Sequence, residues 1–329
     1  MKLDERYEFV FFAAKYDYNR VMYGSLDSCC NATFTDGPGK HGSILRFLHR
    51  IHTAPKINRV LPLPFREYWF KKYFIPHRKV LTPYCFVFQA GYLNMIHDFR
   101  GYIEYLKKRF PSSRFVLFYE DRIATMNMPL TPVGMRDYFN LQISYDPGEA
   151  ESYGLLYHHT AASTCNIEVH DNIPESDVFL LASAKDRLAA YQQIYDNLVS
   201  NGIKCEFYIS RVPKELRRSN DGIHYIDKDM PYKRSLEYIC KCKCILDIQQ
   251  GHAVGFTQRL WEAVLYDKKL LTDNDAIINS DYYDCRYVSK VNNGYCDLDF
   301  IRSNQVFINP FKDRVSPISL LNFIADNLM

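Results

Sequence analysis

The residues best suited to bind an anionic ligand follow a short β-branched and aliphatic run in the C-terminal half of the chain. Gly251 and Gly255 bound a loop after this run, and Arg259 and Glu262 lie in the first turns of a helix that is predicted to follow Thr257. A strand, a glycine loop and a helix place free backbone N–H groups and a positive helix end at the edge of a parallel sheet. The spacing therefore predicts a phosphate site at this loop, with Thr257 as the N-cap residue.

A second set of anion-binding residues follows the predicted strand Val178–Ala182. Ser183, Lys185 and Arg187 come directly after it, and the four residues from Ser183 are typical of a capping box, so a helix is predicted to begin there and to run to about Val199. Two cations at the N-terminus of a helix, directly after a strand, predict a second place where an anion would bind.

The first of these segments resembles a known family. The pattern G-F-T-x-R-x-x-E-A from Gly255, followed by K-x-L-x-T-x-N from Lys268, resembles the donor-binding segment of GT-B glycosyltransferases, in particular bacterial lipopolysaccharide and capsule glycosyltransferases. The resemblance implies that Gly255, Phe256 and Thr257 face the diphosphate of a nucleotide-sugar donor. It also implies that Glu262 accepts hydrogen bonds from the ribose hydroxyls, a role that suits a carboxylate.

Three cations are predicted to neutralise the leaving diphosphate in place of a divalent metal: Lys185, Arg187 and Arg259. We therefore expect no metal and no cofactor other than the nucleotide-sugar substrate. The alternative is an ordinary amphipathic helix, in which Arg259 and Glu262 form a solvated i,i+3 ion pair.

Two residues are candidates for acid or base catalysis. Asp121 follows Glu120 at the end of the predicted strand Arg114–Tyr119, where α/β enzymes place reactive groups, and a strand-end aspartate also occurs in the family that the chain resembles. The alternative is that Asp121 caps a turn or pairs with Arg122. His41, in a glycine-rich loop, could act as a general base, or it is an ordinary surface histidine.

The triplet Asp227-Lys228-Asp229 supports a competing interpretation. D-x-D is the metal-binding signature of GT-A glycosyltransferases, because two close carboxylates hold a divalent cation on the donor diphosphate. The triplet is short, however, and it lies inside a second array of predicted strands and helices, which favours GT-B.

Size and composition indicate a folded protein of two domains. The chain has 329 residues, of which 47% are hydrophobic and 24% charged. No run approaches 18 apolar residues and the N-terminus carries acids, so we expect a cytoplasmic protein. The ten cysteines are irregularly spaced, which predicts reduced thiols rather than disulfides or a zinc site.

The net charge of +3 is unevenly distributed. Residues 40–114 contain 15 Lys and Arg against three acids, a local balance of +12, and Phe65–Lys79 interleaves aromatic residues with cations. This composition suits an anionic membrane surface, so we expect peripheral binding at the inner membrane face and no nucleic acid. The alternatives are a solvated basic face, or a non-catalytic nucleotide-fold protein that binds nucleic acid through this stretch.

The order of predicted elements indicates an α/β protein. Apolar runs typical of buried strands recur through both halves, and the polar, helix-poor stretch 158–177 separates them. We therefore expect two Rossmann-like domains facing a cleft, as in GT-B enzymes: an acceptor-side domain at 1–160, to which the helix 316–329 returns, and a donor-binding domain at 175–312. The expected activity is that of a hexosyltransferase-like enzyme, moving a sugar from a nucleotide-sugar to a lipid-linked or lipopolysaccharide/capsule glycan.

Overall fold

The chain forms two compact units, each built on its own sheet. The computed structural model describes residues 1–14, 16–35, 43–52, 54, 57, 60–61, 63–65, 67–71, 81–96, 98–219, 222–251, 255–305 and 307–328. The first unit comprises Met1–Ala161 and Ser316–Met329, and the second comprises Ala162–Val315. Each unit contains a six-stranded sheet in which every strand pair is parallel.

The sheet of the first unit has the strand order β2-β1-β3-β4-β5-β6. Its central strands are apolar on both faces because helices cover both sides of a parallel sheet, and the rings of Phe12 and Phe88 stack with centroids 4.3 Å apart between neighbouring strands. The edge strands β2 and β6 were not predicted, because they are short and only half-buried and so lack an apolar run. The strands are β1 (Glu8–Phe12), β2 (Ala32–Thr35), β3 (Tyr84–Gln89), β4 (Arg114–Tyr119), β5 (Leu141–Ser144) and β6 (Leu156–Tyr157).

The sheet of the second unit has the order β12-β11-β10-β7-β8-β9, which is the classic order of a doubly wound nucleotide-binding fold. The order in which successive strands are added to the sheet reverses between β7 and β10, because β8 and β9 follow on one side of β7 and β11 and β12 on the other side of β10. The strands are β7 (Ser176–Ser183), β8 (Cys205–Ser210), β9 (His224–Ile226), β10 (Cys242–Asp247), β11 (Lys269–Thr272) and β12 (Val288–Lys290).

Fourteen α-helices lie in the described part of the chain, most of them in the connections between parallel strands. Three short 3₁₀ turns at Gly24–Ser28, Ile123–Thr125 and Lys214–Leu216 complete the regular structure. The helices are α1 (Asp17–Met22), α2 (Ser43–His52), α3 (Glu67–Phe70), α4 (Ala90–Leu93), α5 (Phe99–Arg109), α6 (Pro132–Met135), α7 (Pro147–Tyr153), α8 (Leu188–Ser200), α9 (Tyr232–Lys241), α10 (Gln258–Leu265), α11 (Asp275–Ile278), α12 (Leu298–Arg302), α13 (Lys312–Val315) and α14 (Pro317–Asn327). Among the described residues, no helix is long and apolar enough to cross a membrane.

The predicted helix start at Ser183 is wrong. Ser183 is still part of β7, and α8 begins only at Leu188, with Arg187 at the N-cap position and no side-chain cap. The reason is local: Lys185 has a left-handed backbone with φ of 43°, which interrupts the helix that the capping pattern predicts.

The C-terminal helix α14 belongs to the first unit. Asn322 accepts a hydrogen bond from the Asp4 backbone N–H at 2.8 Å and donates one to the Lys2 carbonyl at 3.0 Å. The ring of Phe323 packs on His158 with centroids 4.9 Å apart. These contacts join the two ends of the chain in one unit.

A side-chain cap at Asp146 starts helix α7. Its carboxylate accepts from the Glu149 N–H at 2.9 Å, and Pro147 occupies the first helical position. The Glu149 side chain does not return this bond, since it accepts from the backbone N–H groups of Ile123 (2.8 Å) and Ala124 (3.4 Å). Asp146 therefore caps α7, and Glu149 ties α7 to the turn after β4.

We predict that Asp146→Ala lowers the free energy of unfolding by about 1 kcal/mol, because the α7 start loses its cap. Chemical denaturation would measure this change. Glu151→Ala, an exposed acid in the same helix, is the matched control and should change stability far less. Equal effects of the two substitutions would contradict a capping role for Asp146.

Candidate functional site

The two predicted anion-binding segments meet at the carboxyl edge of the second sheet. The loop 184–187 follows β7 and the loop 248–257 follows β10, and these strands are parallel neighbours. The strand order reverses between these two strands, and doubly wound folds bind ligands in the crevice beyond the strand ends at such a point. Residues 252–254 of the second loop lie outside the described residues.

Hydrogen bonds join the two loops directly. Lys185, which is exposed, donates from Nζ to Gln250 Oε1 at 2.5 Å. Arg187 donates from Nη1 to the Ile248 carbonyl at 2.6 Å and from Nη2 to the Ser183 carbonyl at 3.0 Å. The structure therefore brings Ser183, Lys185 and Arg187 together against the loop that follows β10.

Several buried polar atoms at this edge have no hydrogen-bond partner among the described residues. They are Ser183 Oγ, Arg187 Nε and Tyr191 Oη, and the Arg187 guanidinium lies 5.4 Å from the centre of the Tyr191 ring. A buried polar atom without a partner carries a desolvation cost that a bound ligand would remove. Three such atoms beside two cations are the strongest sign of a ligand site in the second unit.

The start of α10 keeps its N–H groups free of a side-chain cap. Thr257 has the backbone of an N-cap residue, as predicted, but its hydroxyl donates to Asp247 Oδ2 at 2.8 Å and caps nothing. Burial raises the pKa of Asp247 to about 6, which the Thr257 hydroxyl partly opposes. The helix start therefore retains donors that an anion could accept from.

Two residues of the K-x-L-x-T-x-N pattern contact Asp247 and the loop that follows β10. Thr272 contacts Asp247 Oδ2 at 3.5 Å, and Asn274 donates from Nδ2 to the Gly255 carbonyl at 3.3 Å. Gly255 is buried, and its carbonyl also accepts from Gln249 Nε2 at 3.1 Å. These bonds fix the second half of the loop from the neighbouring strand.

Phe256 and Gly251 are the other two residues of this loop that were predicted to bind the donor. The Phe256 side chain packs edge-on against Trp261 and Tyr282, at centroid distances of 5.6 and 5.7 Å, so only its backbone remains for a ligand. Gly251 is exposed, and an added Cβ would lie 3.7 Å from Asp186 Oδ2, an ordinary contact. Space alone therefore does not require a glycine at position 251.

Arg259 and Glu262 form a buried ion pair rather than a solvated one. The Glu262 side chain is 2% exposed and that of Arg259 is 19% exposed. Arg259 donates to Glu262 from Nη1 and to the Leu181 carbonyl from Nη2 at 3.0 Å, while Gln258 donates to the second Glu262 oxygen at 3.2 Å. Burial raises the pKa of Glu262, and the Arg259 charge opposes this rise. Both carboxylate oxygens thus already accept hydrogen bonds.

A cavity of about 610 Å³ lies beside these loops, at the carboxyl ends of β10, β11 and β12. Asp273 and Lys290 are its charged residues, and neither was predicted as a site residue. Burial raises the pKa of Asp273, and its Oδ1 accepts from the Gln249 N–H at 2.8 Å. The position of Asp273 inside the K-x-L-x-T-x-N pattern, between Thr272 and Asn274, was the sequence signal that could have identified it.

In the first unit, the structure separates the two strand-end carboxylates. Asp121 is exposed and accepts from the Arg122 N–H at 2.8 Å, so it caps a turn. Glu120 points inward: its Oε1 accepts from the Gly91 N–H at 2.9 Å, and its Oε2 is buried with no partner among the described residues. Burial raises the pKa of Glu120 to about 7. Asp121, the predicted catalytic candidate, is thus the exposed member of this pair, Glu120 was not predicted as a site residue, and His41 lies outside the described residues.

The D-x-D residues are paired with arginines. Asp227 accepts from Arg217 Nη2 at 2.5 Å, and the Asp229 carboxylate lies 4.0 Å from Arg211 Nη2. Within the described part of the chain, no cluster of three or more His, Cys, Asp or Glu residues is arranged to hold a metal ion.

Comparisons with known proteins identify the fold. No protein-family model and no curated protein matches the chain. Among solved structures, the chain is similar to an alpha-glucosyltransferase in complex with UDP-glucose and DNA containing an abasic site, with 8% identity, 97% of this chain and 93% of that chain covered, and a TM-score of 0.52. Two further structures are an alpha,alpha-trehalose-phosphate synthase (UDP-forming) from Burkholderia vietnamiensis (7% identity, 98% of each chain, TM-score 0.49) and a UDP-N-acetylglucosamine 2-epimerase from Rickettsia bellii (10% identity, 98% and 95%, TM-score 0.47).

The chain has the GT-B fold. The match to the glucosyltransferase extends over nearly the whole of both chains, and both six-stranded parallel sheets agree with it. The predicted α/β class with two Rossmann-like units is thereby confirmed, and the GT-A interpretation of the D-x-D triplet is wrong. At 8% identity the similarity establishes the fold and leaves the roles of individual residues as predictions.

We predict that Glu262→Gln lowers the free energy of unfolding by roughly 3 kcal/mol, because it leaves the buried Arg259 guanidinium without its counter-ion. Denaturant titration of the ligand-free protein would measure the loss. Asp196→Asn is the matched control, since it removes one acid from an exposed pair with Arg218 whose side chains are 55% and 43% exposed, and it should cost less than about 1 kcal/mol. A Glu262→Gln protein as stable as the wild type would contradict the buried pair.

We predict that Glu120→Gln becomes progressively more stable than the wild type as pH rises from about 4.5 to about 7. A raised pKa means that the folded state binds the Glu120 proton more tightly than the unfolded chain does, so wild-type stability falls across this window and the cost is complete above it. The neutral amide avoids this cost, which is at most roughly 3 kcal/mol.

The free energy of unfolding of the wild type is subtracted from that of the variant at each pH. This subtraction is needed because Asp247, whose pKa is raised to about 6, changes the stability of both proteins in a similar pH range. Asp121→Asn is the control: this side chain is exposed, so its stability difference from the wild type should be much less dependent on pH. A flat difference curve for Glu120→Gln would show that the Glu120 carboxyl has an ordinary pKa.

Proposed function

We propose that this protein is a glycosyltransferase that moves a hexose from a UDP-sugar to a lipid-linked glycan of the lipopolysaccharide or capsule type at the inner membrane face. The observation that carries the proposal is the carboxyl edge of β7 and β10. Two cations, an uncapped helix start and three unpartnered buried polar atoms meet there. The solved structures that share the fold are named for UDP-sugar reactions, which supports UDP as the nucleotide.

The second unit is proposed to hold the donor. The β-phosphate side of the diphosphate would accept from the backbone at Phe256, Thr257 and the start of α10, and Lys185 and Arg187 would supply positive charge. Arg259 is a weaker candidate than the sequence suggested, because Glu262 and the Leu181 carbonyl already use its donors.

The nucleoside is proposed to occupy the cavity beside Asp273 and Lys290, whose volume of about 610 Å³ suits a small ligand. Glu262 is still proposed to contact the ribose, but this contact must be compatible with the hydrogen bonds that Glu262 already accepts. Each Glu262 oxygen already accepts a hydrogen bond, one from Arg259 and the other from the Gln258 amide at 3.2 Å. A ribose hydroxyl would therefore donate to a remaining lone pair of the carboxylate or replace the Gln258 amide.

The proposed reaction needs charge stabilisation and one proton acceptor. A bond forms between an acceptor hydroxyl oxygen and the anomeric carbon, while the bond from that carbon to the diphosphate breaks and its electron pair leaves with UDP. Lys185 and Arg187 would stabilise the developing negative charge without a metal. The acceptor proton would pass to a carboxylate of the first unit, either Asp121 or Glu120, and a pKa of about 7 suits Glu120 to this task near neutral pH.

We predict that UDP raises the melting temperature more than GDP, ADP or CMP does, in the presence of a metal chelator. A ligand present at about 100 times its Kd stabilises the folded state by about 2.7 kcal/mol, enough for a clear thermal shift. If none of the four nucleotides at millimolar concentration shifts the transition, the proposed donor site is wrong. A shift that appears only with added metal would contradict metal-independent binding.

Lys185→Gln tests the location of the site. It should weaken UDP binding roughly tenfold, because one charge-assisted contact to the diphosphate is lost, while the ligand-free melting temperature stays close to that of the wild type. Lys228→Gln, at an exposed lysine of the same unit, is the matched control and should bind UDP like the wild type. Equal affinities of the two variants would place the diphosphate elsewhere.

A further inference from the structure

Helix α2 (Ser43–His52) packs on the first unit through its histidines. The Trp69 indole N–H donates to His52 Nδ1 at 2.9 Å, and the His49 ring lies 5.0 Å from the Trp69 ring. Trp69 is 7% exposed and precedes Phe70, which packs against Tyr102 in the core. Two histidines of α2 therefore contact the first unit through Trp69.

A different side of α2 is apolar and exposed. Ile44, Phe47, Leu48 and Ile51 recur at helical spacing, and they are 76%, 63%, 49% and 40% exposed. We call these four residues the apolar face of α2. In a surface helix of a globular protein this face normally packs on the core, so its exposure marks an interaction site.

Another helix of the same unit shows the ordinary arrangement. Helix α5 (Phe99–Arg109) buries its apolar side, including Tyr102, Ile103 and Leu106, and carries a run of cations in its last turn. Both helices are amphipathic by sequence, and only α2 has its apolar side turned away from the core. In the arrangement in which His49 and His52 contact Trp69, the four apolar residues of α2 are exposed.

The chain around α2 carries further exposed apolar residues. Val60, Leu61 and Phe65 are 86%, 63% and 82% exposed, and more than half of the exposed large apolar side chains in the described residues fall between 44 and 81. Apolar exposure on this scale in one part of a chain is typical of a surface that binds a partner.

The charge of this segment identifies the partner. Residues 44–81 contain nine Lys and Arg and a single acid, Glu67. An anionic bilayer offers hydrocarbon for the apolar face and negative headgroups for the cations, whereas nucleic acid offers negative charge without a place for Phe47 and Leu48. Both features of the segment are therefore explained by a membrane surface.

We propose that the apolar face of α2 inserts into the interfacial region of an anionic bilayer and so anchors the first unit to the membrane. This inference deepens the proposed function, on which it rests for the identity of the lipid-linked acceptor. Binding to vesicles, however, requires neither donor nor acceptor and can be measured independently.

The test is sedimentation of the full chain with vesicles of phosphatidylcholine, with and without phosphatidylglycerol. The wild type should bind only the anionic vesicles, and less at high salt, because the Debye length is about 10 Å at 0.1 M and shortens further with added salt. Phe47→Asp combined with Leu48→Asp should reduce the partition coefficient by roughly tenfold or more, since it places two charges in the inserting face.

Val133→Asp combined with Tyr153→Asp is the matched control. These are exposed apolar residues of other helices in the same unit, 62% and 37% exposed, and they add the same charge. The control should bind vesicles nearly as the wild type does. If both double variants lose binding equally, the added negative charge explains the loss and the insertion of α2 is disproved.

The same protein samples distinguish the failure of the membrane anchor from the failure of the proposed donor site. Wild-type protein that ignores anionic vesicles at low salt, or that binds random oligonucleotides more tightly than vesicles, overturns the inference. The inference is also overturned if the wild type is a dimer and the Phe47→Asp/Leu48→Asp variant, but not the control, is a monomer. The apolar face would then contact a second copy of the chain. The UDP thermal shift is measured in parallel: a lost shift with intact vesicle binding refutes the proposed donor site alone, and an intact shift without vesicle binding refutes the anchor alone.

Discussion

The parallel pairing of β7 with β10 is the constraint on which the candidate donor site depends. Parallel neighbours end at the same edge of a sheet, and their connections must cross over it, so two loops distant in the sequence are brought into contact. Lys185 and Gln250 are 65 residues apart and are joined by a hydrogen bond, and Arg187 reaches the Ile248 carbonyl across a similar separation. Without this pairing, the cations and the glycine loop would belong to unrelated parts of the surface.

The buried carboxylates of the two units differ in their hydrogen-bond partners. In the second unit, Asp247 is held by Thr257, and Glu262 by Arg259 and Gln258, so each carboxylate stabilises the loop or helix that carries it. In the first unit, Glu120 has one oxygen on the Gly91 N–H and one without a partner among the described residues. An added Cβ at Gly91 would lie 2.5 Å from Glu120 Oε1, so a glycine is needed there for the carboxylate to occupy its position.

The two units differ in what their surfaces offer. The second unit presents hydrogen-bond donors and cations that suit a small anionic ligand. The first presents a helix anchored by Trp69 with its apolar face outward, within a strongly basic segment. A transferase that takes a soluble donor and a membrane-bound acceptor requires both kinds of surface, which is why the proposed function and the proposed anchor support each other.

The sequence by itself determined most of the local structure. The bounds of β4 agree with those predicted, because apolar periodicity and turn residues act within a few residues of each other. The ends of two apolar runs also predicted the loops that follow β7 and β10. The predictions that failed locally concern a left-handed residue at Lys185 and short edge strands, where the sequence carries little signal.

Only the tertiary structure decided which of these residues are buried. The outward direction of the apolar face of α2 depends on Trp69, the burial of Glu262 on Arg259 and the Leu181 carbonyl, and the inward position of Glu120 on Gly91. A sequence pattern shows which side chains share a face, but whether that face meets core, water or a partner is set by residues from other elements. The same is true of the pKa of a carboxyl group, because burial and neighbouring charges come from packing between distant segments.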